Sequence, residues 1–178
     1  MSMKTFFIIA ITLTLSWACK ADNNVLSPYG YGVIQVGMTL NEVKSSISFN
    51  HTNKETSYNT GNECQTFTLN NHPKELTVML LDGIIERLSI YEDVDNHKII
   101  EIITDTGLRV GDSAALVHKL YPIGLNDDPH EYLGPNARYL TWWNEDKNRG
   151  IRFETDMDNR ITAIHAGSDA IFLLEGCS

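Results

Sequence analysis

The sequence predicts an α+β protein of two tandem modules, each a short helix packed on an antiparallel sheet. The first observation is a pattern found at residues 34–47 and again at 108–121: an apolar start, a glycine turn, a Thr or Ser cap and a short amphipathic helix. The second is that each copy is followed by apolar runs joined by a turn containing Asp. A length of 178 residues, 42% of them hydrophobic, supports one domain or two small ones that share a core.

Residues 1–18 have the three regions of a secretory signal peptide. Lys4 supplies the basic start, residues 6–15 form an apolar run, and Ala18 is a small residue suited to cleavage. The apolar run is too short for a membrane anchor, since a helix that spans a bilayer needs about 20 residues. The sequence therefore predicts export, and we expect the mature protein in a bacterial periplasm.

Cys19 follows the predicted signal directly, at the place where bacterial lipoproteins carry their lipid. The residues before it resemble a lipoprotein signal imperfectly, because the leucine stands one place too early and Trp17 is bulky. Ordinary cleavage after Ala18 or Ala21 fits nearly as well. Both lipidation of Cys19, with an anchor in the outer membrane, and its removal therefore stay open. Residues 19–31 are expected to form a polar tether.

The two remaining cysteines, Cys64 and Cys177, are predicted to form one disulfide bond, because an exported protein folds in an oxidising compartment. The bond ties the C-terminal tail to the first half of the chain. By chain-entropy reasoning, closing so long a loop stabilises the fold by up to about 4 to 5 kcal/mol. Neither cysteine lies in a recognisable catalytic motif with a histidine, which disfavours a nucleophile.

The chain is acidic: 14 basic and 23 acidic residues give a formal net charge of −9. Without residues 1–18, whose one charged side chain is Lys4, the charge is −10. Such a charge disfavours nucleic acid as a partner. It favours a basic protein partner through electrostatic steering, although it is also common as a source of solubility.

The first module is predicted over residues 32–104. Gly37 gives the freedom for a turn, and Thr39 with Glu42 three places later forms a capping box, so a helix should begin near Thr39. Strands are predicted after a polar loop, and Asp82-Gly83 marks a hairpin between two of them. The predicted strands are residues 64–69, 76–81 and 84–91, and residues 98–104 are expected to be a last strand or a helical turn.

The second module, residues 105–178, repeats this order, with a helix from the Ser113 cap to Pro122 and then a long loop. Gly37 matches Gly111 at a shift of 74 residues, and Asp82 matches Asp158 at a shift of 76. The shared order of turn, capped helix, loop and hairpin makes a duplication credible. The predicted strands are residues 137–143, 151–155 and 160–165.

The stretches Ile34-Gln-Val-Gly-Met-Thr-Leu-Asn-Glu-Val43 and Leu108-Arg-Val-Gly-Asp-Ser113, with the strand pairs after each, resemble the beta-lactamase inhibitory protein superfamily. This superfamily includes tandem helix-plus-sheet repeats and small lipoproteins of outer-membrane assembly. The resemblance covers residues from about 32 to 167, and it implies a secreted or periplasmic binding protein that uses a curved sheet surface. One predicted disulfide and a lipid-anchor signal set this chain apart from the inhibitor itself, so inhibition of a beta-lactamase is not carried over.

The sequence contains none of the common catalytic or phosphate-binding motifs, such as a nucleophile elbow or a glycine-rich nucleotide loop. We therefore expect a protein that is not an enzyme and holds no cofactor. The acidic runs at residues 127–131 and 156–159 fit solvated turns better than a ligand set, so no metal is expected. His118 and His165 are expected to be surface or edge histidines rather than acids or bases.

Aromatic residues around the strand at 137–143 are the best candidates for a binding surface. Successive strand residues face opposite sides, so Trp142 and Trp143 cannot both lie in the core. Leu140 is the better core residue, which favours Tyr139 and Trp143 on an open side, where aromatic residues anchor protein interfaces. Alternatively, the loop at 126–136 covers a tryptophan. The predicted partner-binding residues are Tyr132, Tyr139, Trp143, Arg152 and Glu154.

Together these features predict a non-enzymatic envelope module that binds a protein, as an inhibitor or immunity protein against a secreted or envelope hydrolase. One alternative is a structural lipoprotein that assists outer-membrane assembly. Another is an enzyme with an unrecognised site.

Overall fold

A computed structural model describes residues 25–46, 64–69, 72–95 and 99–177. The predicted signal peptide and Cys19 lie outside the described residues. The fold is mixed α+β and mostly sheet. Its elements in chain order are β1 (Val25–Ser27), β2 (Gly30–Tyr31), β3 (Ile34–Gln35), α1 (Leu40–Ser46), β4 (Cys64–Thr68), β5 (Leu76–Leu81), β6 (Ile84–Tyr91), β7 (Ile103–Thr104), α2 (Ala114–Leu120), β8 (Asn126–His130), β9 (Gly134–Trp143), β10 (Gly150–Thr155), β11 (Ile161–Gly167) and a 3₁₀ turn (Asp169–Phe172).

The strands form one large and one small sheet. The large, seven-stranded sheet has the order β4-β5-β6-β11-β10-β9-β8, and all its pairs are antiparallel. At its centre β6 pairs with β11, with Ile90 opposite Ile164. The small sheet has the order β3-β2-β1-β7. The structure thus shows two sheets rather than two clear modules with a sheet each, because the halves join edge to edge through β6 and β11.

Both helices pack on one face of the large sheet. Val43 of α1 and Val117 of α2 are buried in the same hydrophobic core as Leu88 of β6 and Phe153 of β10. Burial of each such side chain stabilises the fold by about 1.5 to 3 kcal/mol. None of the helices in the described part of the chain is long and apolar enough to cross a membrane.

The predicted helix caps are confirmed. The backbone N–H of Thr39 donates to Glu42 Oε2 at 2.7 Å, and the N–H of Glu42 donates back to the Thr39 hydroxyl at 3.3 Å, as in a capping box. In the second helix Ser113 Oγ accepts the N–H of Leu116 at 3.3 Å. These bonds satisfy N–H groups that a helix start leaves without a partner.

Matched backbone hydrogen bonds join each helix turn to its hairpin. The N–H of Gly37 donates to the Ile85 carbonyl oxygen at 2.7 Å, and the N–H of Gly111 donates to the Ile161 carbonyl oxygen at 2.8 Å. In both halves the N–H of that hairpin residue, Ile85 or Ile161, donates back at 2.8 Å to the carbonyl oxygen of the residue that follows the glycine. The two halves of the chain therefore use the same local geometry.

Part of the expected tether is a strand. Val25–Ser27 forms β1, which pairs antiparallel with β2 and parallel with β7. Leu26 is fully buried and belongs to the same hydrophobic core as the two helices. Of the expected link at residues 98–104, Ile103–Thr104 is strand β7. Residue 98 lies outside the described residues.

The stretch predicted as a loop at residues 126–136 contains the edge strand β8. Asp127 is held there by an ion pair with Arg138 of β9 and by His118 of α2, whose Nε2 lies 3.2 Å from Asp127 Oδ2. Pro129 lacks an N–H to donate, which an edge strand tolerates. The loop prediction was wrong because pairing with β9, rather than an apolar alternation, makes this segment a strand.

The predicted disulfide between Cys64 and Cys177 is present. It fastens the last part of the chain, residues 168–177, which we call the C-terminal strap. The strap starts with the N–H of Ser168 donating to the Glu86 carbonyl oxygen at 3.0 Å. It then crosses the face of the large sheet opposite the helices, where Ala170 and Cys177 pack on Met79.

Candidate functional site

The face of the large sheet opposite the helices carries polar side chains that are buried. Strand alternation places them there, since Leu140, Phe153 and Ile164 occupy the core face. A sheet face of this kind is normally open to water when it is polar. These polar side chains include Arg87, Ser89, Thr141, Arg152 and His165, all of them buried, and the half-buried Glu154.

Five of the side chains on this face form a row across five neighbouring strands, which we call the polar row: Ser89, His165, Glu154, Tyr139 and His130. The Ser89 hydroxyl lies 2.8 Å from His165 Nδ1, and His165 Nε2 lies 3.1 Å from Glu154 Oε1. His130 stacks on the Tyr139 ring at 4.2 Å, with its Nε2 3.8 Å from Glu154 Oε2. The row thus crosses β6, β11, β10, β9 and β8, and the Glu154 carboxylate lies between its two histidines.

The charge state of the row follows from its burial. Burial lowers the pKa of His165, and the guanidinium groups of Arg87 and Arg152 lower it further, although the hydrogen bond to Glu154 opposes both. Burial raises the pKa of Glu154, but the hydrogen bond from His165 and the charge of Arg152 outweigh it, so that pKa lies below its ordinary value. At neutral pH the row therefore holds a neutral His165 that donates from Nε2 to an ionised Glu154 and accepts from Ser89.

Arg152 lies between two aromatic rings. Its guanidinium carbon is 3.9 Å from the Tyr139 ring centre and 4.9 Å from that of Phe172 in the C-terminal strap. Such cation–π contacts are strong where water is excluded. Arg152 Nε is nevertheless buried without a hydrogen-bond partner among the described residues, and so is Thr141 Oγ1 on the same face. Each such atom costs about 1 to 3 kcal/mol, so this face is not arranged for stability alone.

Apolar side chains on the outer side of the strap lie in solvent. Phe172 packs on Trp143 with ring centres 5.8 Å apart, and Leu173 follows it. The Tyr132 hydroxyl donates to Glu175 Oε1 of the strap at 3.2 Å, while 60% of Tyr132 is exposed. We call Tyr132, Trp143, Phe172 and Leu173 the aromatic patch. Phe172 and Leu173 are both exposed, and Trp143 is half-buried.

The structure places all five predicted partner-binding residues in this region but exposes them unequally. Tyr132 is exposed, and Trp143 and Glu154 are half-buried. The expectation that Tyr139 lies open is wrong: it is 3% exposed, because His130 and Arg152 cover its two faces. Arg152 is likewise only 5% exposed, beneath Phe172. The face assignment of the two tryptophans is confirmed, since Trp142 packs on the core and Trp143 on the strap.

Sequence reasoning missed two groups of residues in this region. Phe172 and Leu173 were not considered as surface anchors, although the predicted disulfide already tied the tail to the first half of the chain. His165 was expected at the surface or a strand edge, which is wrong: it is buried on β11, in the middle of the large sheet. His130 was assigned to a solvated turn and is buried as well. No local pattern indicates that these two histidines share Glu154.

The order Ser89, His165, Glu154 is that of a nucleophile, a base and an orienting carboxylate. Catalysis also requires that a substrate carbonyl reach the hydroxyl. Ser89 is buried in β6, and its hydroxyl is engaged by His165. In this arrangement the Ser89 hydroxyl is not accessible to a substrate, since the residue is 2% exposed.

No cluster of three or more His, Cys, Asp or Glu side chains suited to a metal ion occurs in the described ranges. In comparisons with known proteins, no family model, no curated protein and no solved structure matches this chain.

Proposed function

We propose that this chain is a non-enzymatic module of the bacterial envelope that binds a protein through the aromatic patch. A specific form of the proposal is an inhibitor or immunity protein that covers an envelope-targeted or secreted hydrolase. The observation that carries it is the exposure of Phe172 and Leu173 on a covalently fastened strap, to which the exposed Tyr132 is linked by its hydrogen bond to Glu175.

The patch has the features of an interface anchor. Aromatic side chains are enriched among the residues that dominate protein binding energies, and a rigid support lowers the entropy lost on binding. Here the support is the disulfide and the Arg152 guanidinium behind Phe172. Exposed apolar side chains that lie next to one another, as Phe172 and Leu173 do, are typical of protein interaction sites, which supports a partner that buries them.

Charge indicates the kind of partner surface. Glu131 precedes Tyr132, Glu175 accepts a hydrogen bond from the Tyr132 hydroxyl, and Asp169 begins the 3₁₀ turn beside the patch. An acidic rim around an aromatic centre fits a basic surface with an apolar centre, and it speeds encounter at low salt. The formal net charge of −9 acts in the same direction.

Capture with matched variants tests the proposal. The disulfide-bonded chain is immobilised and exposed to envelope and secreted fractions of the source bacterium, beside a Tyr132→Ala/Phe172→Ala variant. An Ile99→Ala variant is the control, since Ile99 is an exposed apolar residue outside the patch. We expect a protein retained by the natural chain and the control but not by the double variant. A retained set that is identical for all three contradicts the proposed surface.

We also propose that the two halves are tandem copies of one helix-plus-sheet module, joined through β6 and β11. The matched hydrogen bonds of Gly37 and Gly111 to their hairpins support this interpretation.

Export to the periplasm is part of the proposal, and the disulfide, which forms in oxidising compartments, supports it. Metabolic labelling with a fatty acid tests the anchor: label on the natural chain that is lost in Cys19→Ser marks a lipoprotein, and its absence marks a released protein.

A further inference from the structure

A second surface feature lies on the opposite side of the sheet from the aromatic patch. It is a cleft of ≈ 370 Å³ at the end of α2, which we call the Trp142 cleft. Its lining is mostly apolar and includes the polar residues Asp105 and Thr106; the other lining residues are Pro28, Leu120, Tyr121, Pro122, Ile123 and Trp142. This volume lies at the lower end of the range for small-molecule sites, which are also mostly apolar with a few polar groups.

The apolar wall of the cleft is open to a ligand. Ile123 is 83% exposed, so its side chain contributes little to the core. The Tyr121 and Trp142 rings, which also line the cleft, lie with centres 5.6 Å apart, and the Thr106 hydroxyl donates to Tyr121 Oη at 3.3 Å. The aromatic wall is therefore fixed in place, and ring faces of this kind attract cations.

Asp105 gives the cleft its charge. It is the one charged side chain among the described residues that line the cleft, and its backbone N–H donates to the Leu26 carbonyl oxygen at 2.9 Å. Burial raises the pKa of the Asp105 carboxyl in spite of hydrogen bonds from the backbone. The Asp105 residue is exposed, so a cation in the cleft can reach its carboxylate, and an opposite charge nearby favours the ionised form.

We propose that the Trp142 cleft binds a primary ammonium group on a compact apolar body, with the ammonium at Asp105 and the body between Trp142 and Ile123. The Asp105 carboxylate matches the ammonium group, and the aromatic rings and the apolar wall match the apolar body. Its source is either a free aralkylamine or a lysine side chain next to an apolar residue of a peptide. The inference is independent of the proposed function, because Trp142 and Trp143 face opposite sides of the sheet.

The test uses three probes of one shape and different charge: 2-phenylethylammonium, 2-phenylethanol and 3-phenylpropionate. Binding to the disulfide-bonded chain is followed by the amide signals of Asp105 and Thr106 and the indole N–H signal of Trp142 in NMR titrations. We expect saturable shifts with the ammonium probe and at least 10-fold weaker binding of the other two. No saturable shift, or equal binding of all three, overturns the proposal.

A fourth probe, an N-acetylated Phe-Lys amide, separates the two sources. Tighter binding of this dipeptide than of 2-phenylethylammonium supports a peptide ligand, and weaker binding supports a free amine. Variants then locate the site. We expect Asp105→Asn to weaken the ammonium probe at least 10-fold and leave 2-phenylethanol unchanged, and Ile123→Gln to weaken both. Unchanged ammonium binding by Asp105→Asn contradicts the assignment.

The control for Ile123→Gln is Ile99→Gln, because Ile99 is also highly exposed, at 75%, and does not line the cleft. Both positions are accessible enough that the variants should fold. The patch variant Tyr132→Ala/Phe172→Ala should bind the ammonium probe as the natural chain does. Loss of ammonium binding in that variant contradicts the independence of the two sites.

Discussion

Arg87 donates a hydrogen bond of 2.6 Å to the Leu173 carbonyl oxygen, which joins a central strand to the strap that carries the aromatic patch. A second bond, of 3.0 Å, goes to the Ala170 carbonyl oxygen. Arg87 is buried, and hydrogen bonds from charged groups are about twice as strong as neutral ones. The position of Phe172 and Leu173 in solvent therefore depends on a side chain beneath them as well as on the disulfide.

Replacing Arg87 by Met should loosen the strap. The variant keeps an apolar stem but leaves the two strap carbonyl groups without their donor, at an expected cost of about 1 to 3 kcal/mol each. Hydrogen exchange of the Ile171 and Leu173 amides should become faster relative to amides of β10. Arg109→Met is the control, since Arg109 is exposed. Equal exchange in both variants would show that Arg87 does not hold the strap.

Removing the disulfide should destabilise the protein without unfolding the large sheet. We expect Cys64→Ser/Cys177→Ser to lower the free energy of unfolding by about 2 to 5 kcal/mol. Urea denaturation measures this loss, and a reducing agent should lower the stability of the natural chain to a similar value. The double variant itself should not respond to the reducing agent. A natural chain equally stable in both conditions would contradict the role assigned to the bond.

His165 should make stability depend on pH. Its pKa in the folded protein lies below the ordinary value, so between that value and about pH 6.5 the unfolded chain binds more protons than the folded one. The free energy of unfolding should therefore fall as the pH is lowered from about 6.5, by at most about 1.4 kcal/mol per pH unit from this group. Glu154, whose pKa is also lowered, should add a further loss at more acidic pH.

The variant His165→Gln, which keeps a donor for Glu154, should flatten this dependence in part. Part of the pH dependence of stability should remain in this variant, because burial lowers the pKa of His130 too. Urea denaturation at pH 7.5, 6.5 and 5.5 measures the slope. The same slope in the variant and the natural chain would rule out a neutral, buried His165.

A side chain at Gly167 should lower the stability of the fold. Its φ is +152°, and a Cβ atom there would overlap the Glu86 carbonyl oxygen of the neighbouring strand. Gly107 has a φ of +88° and open space around it, so Gly107→Ala carries the backbone strain alone. We expect Gly167→Ala to cost about 1 to 3 kcal/mol more than Gly107→Ala in urea denaturation, as overpacking does. Equal losses in the free energy of unfolding for the two variants would mean that β6 moves aside to make room for the added Cβ atom.

Local chemistry explains which parts of the fold are predictable from the sequence. The capping box at Thr39 and the hairpin at Asp82-Gly83 are specified by residues next to one another, and both are present. The joining of the halves through β6 and β11 is not predictable in this way, because it pairs strands that are distant in the chain. Strand β8 has no apolar alternation and forms through its pairing with β9.

The same distinction applies to the site. Alternation along β9 predicts the side on which Tyr139 and Trp143 lie, since the period of a strand is a local property. Their exposure depends on what covers that side. Phe172 lies on Trp143 and over Arg152, which in turn packs on Tyr139, and this strap residue is remote from β9 in the sequence. The predicted disulfide already indicated that the tail returns to the first half, but not its path.

The most direct test of the account is the affinity of the captured partner for patch variants, measured by titration calorimetry. Tyr132→Ala/Phe172→Ala should raise the dissociation constant at least about 30-fold, since two anchors contribute roughly 1 kcal/mol or more each. Ile99→Ala should leave it within about twofold of the natural value. An unchanged dissociation constant for the double variant, with its fold intact by circular dichroism, would contradict a binding role for the aromatic patch.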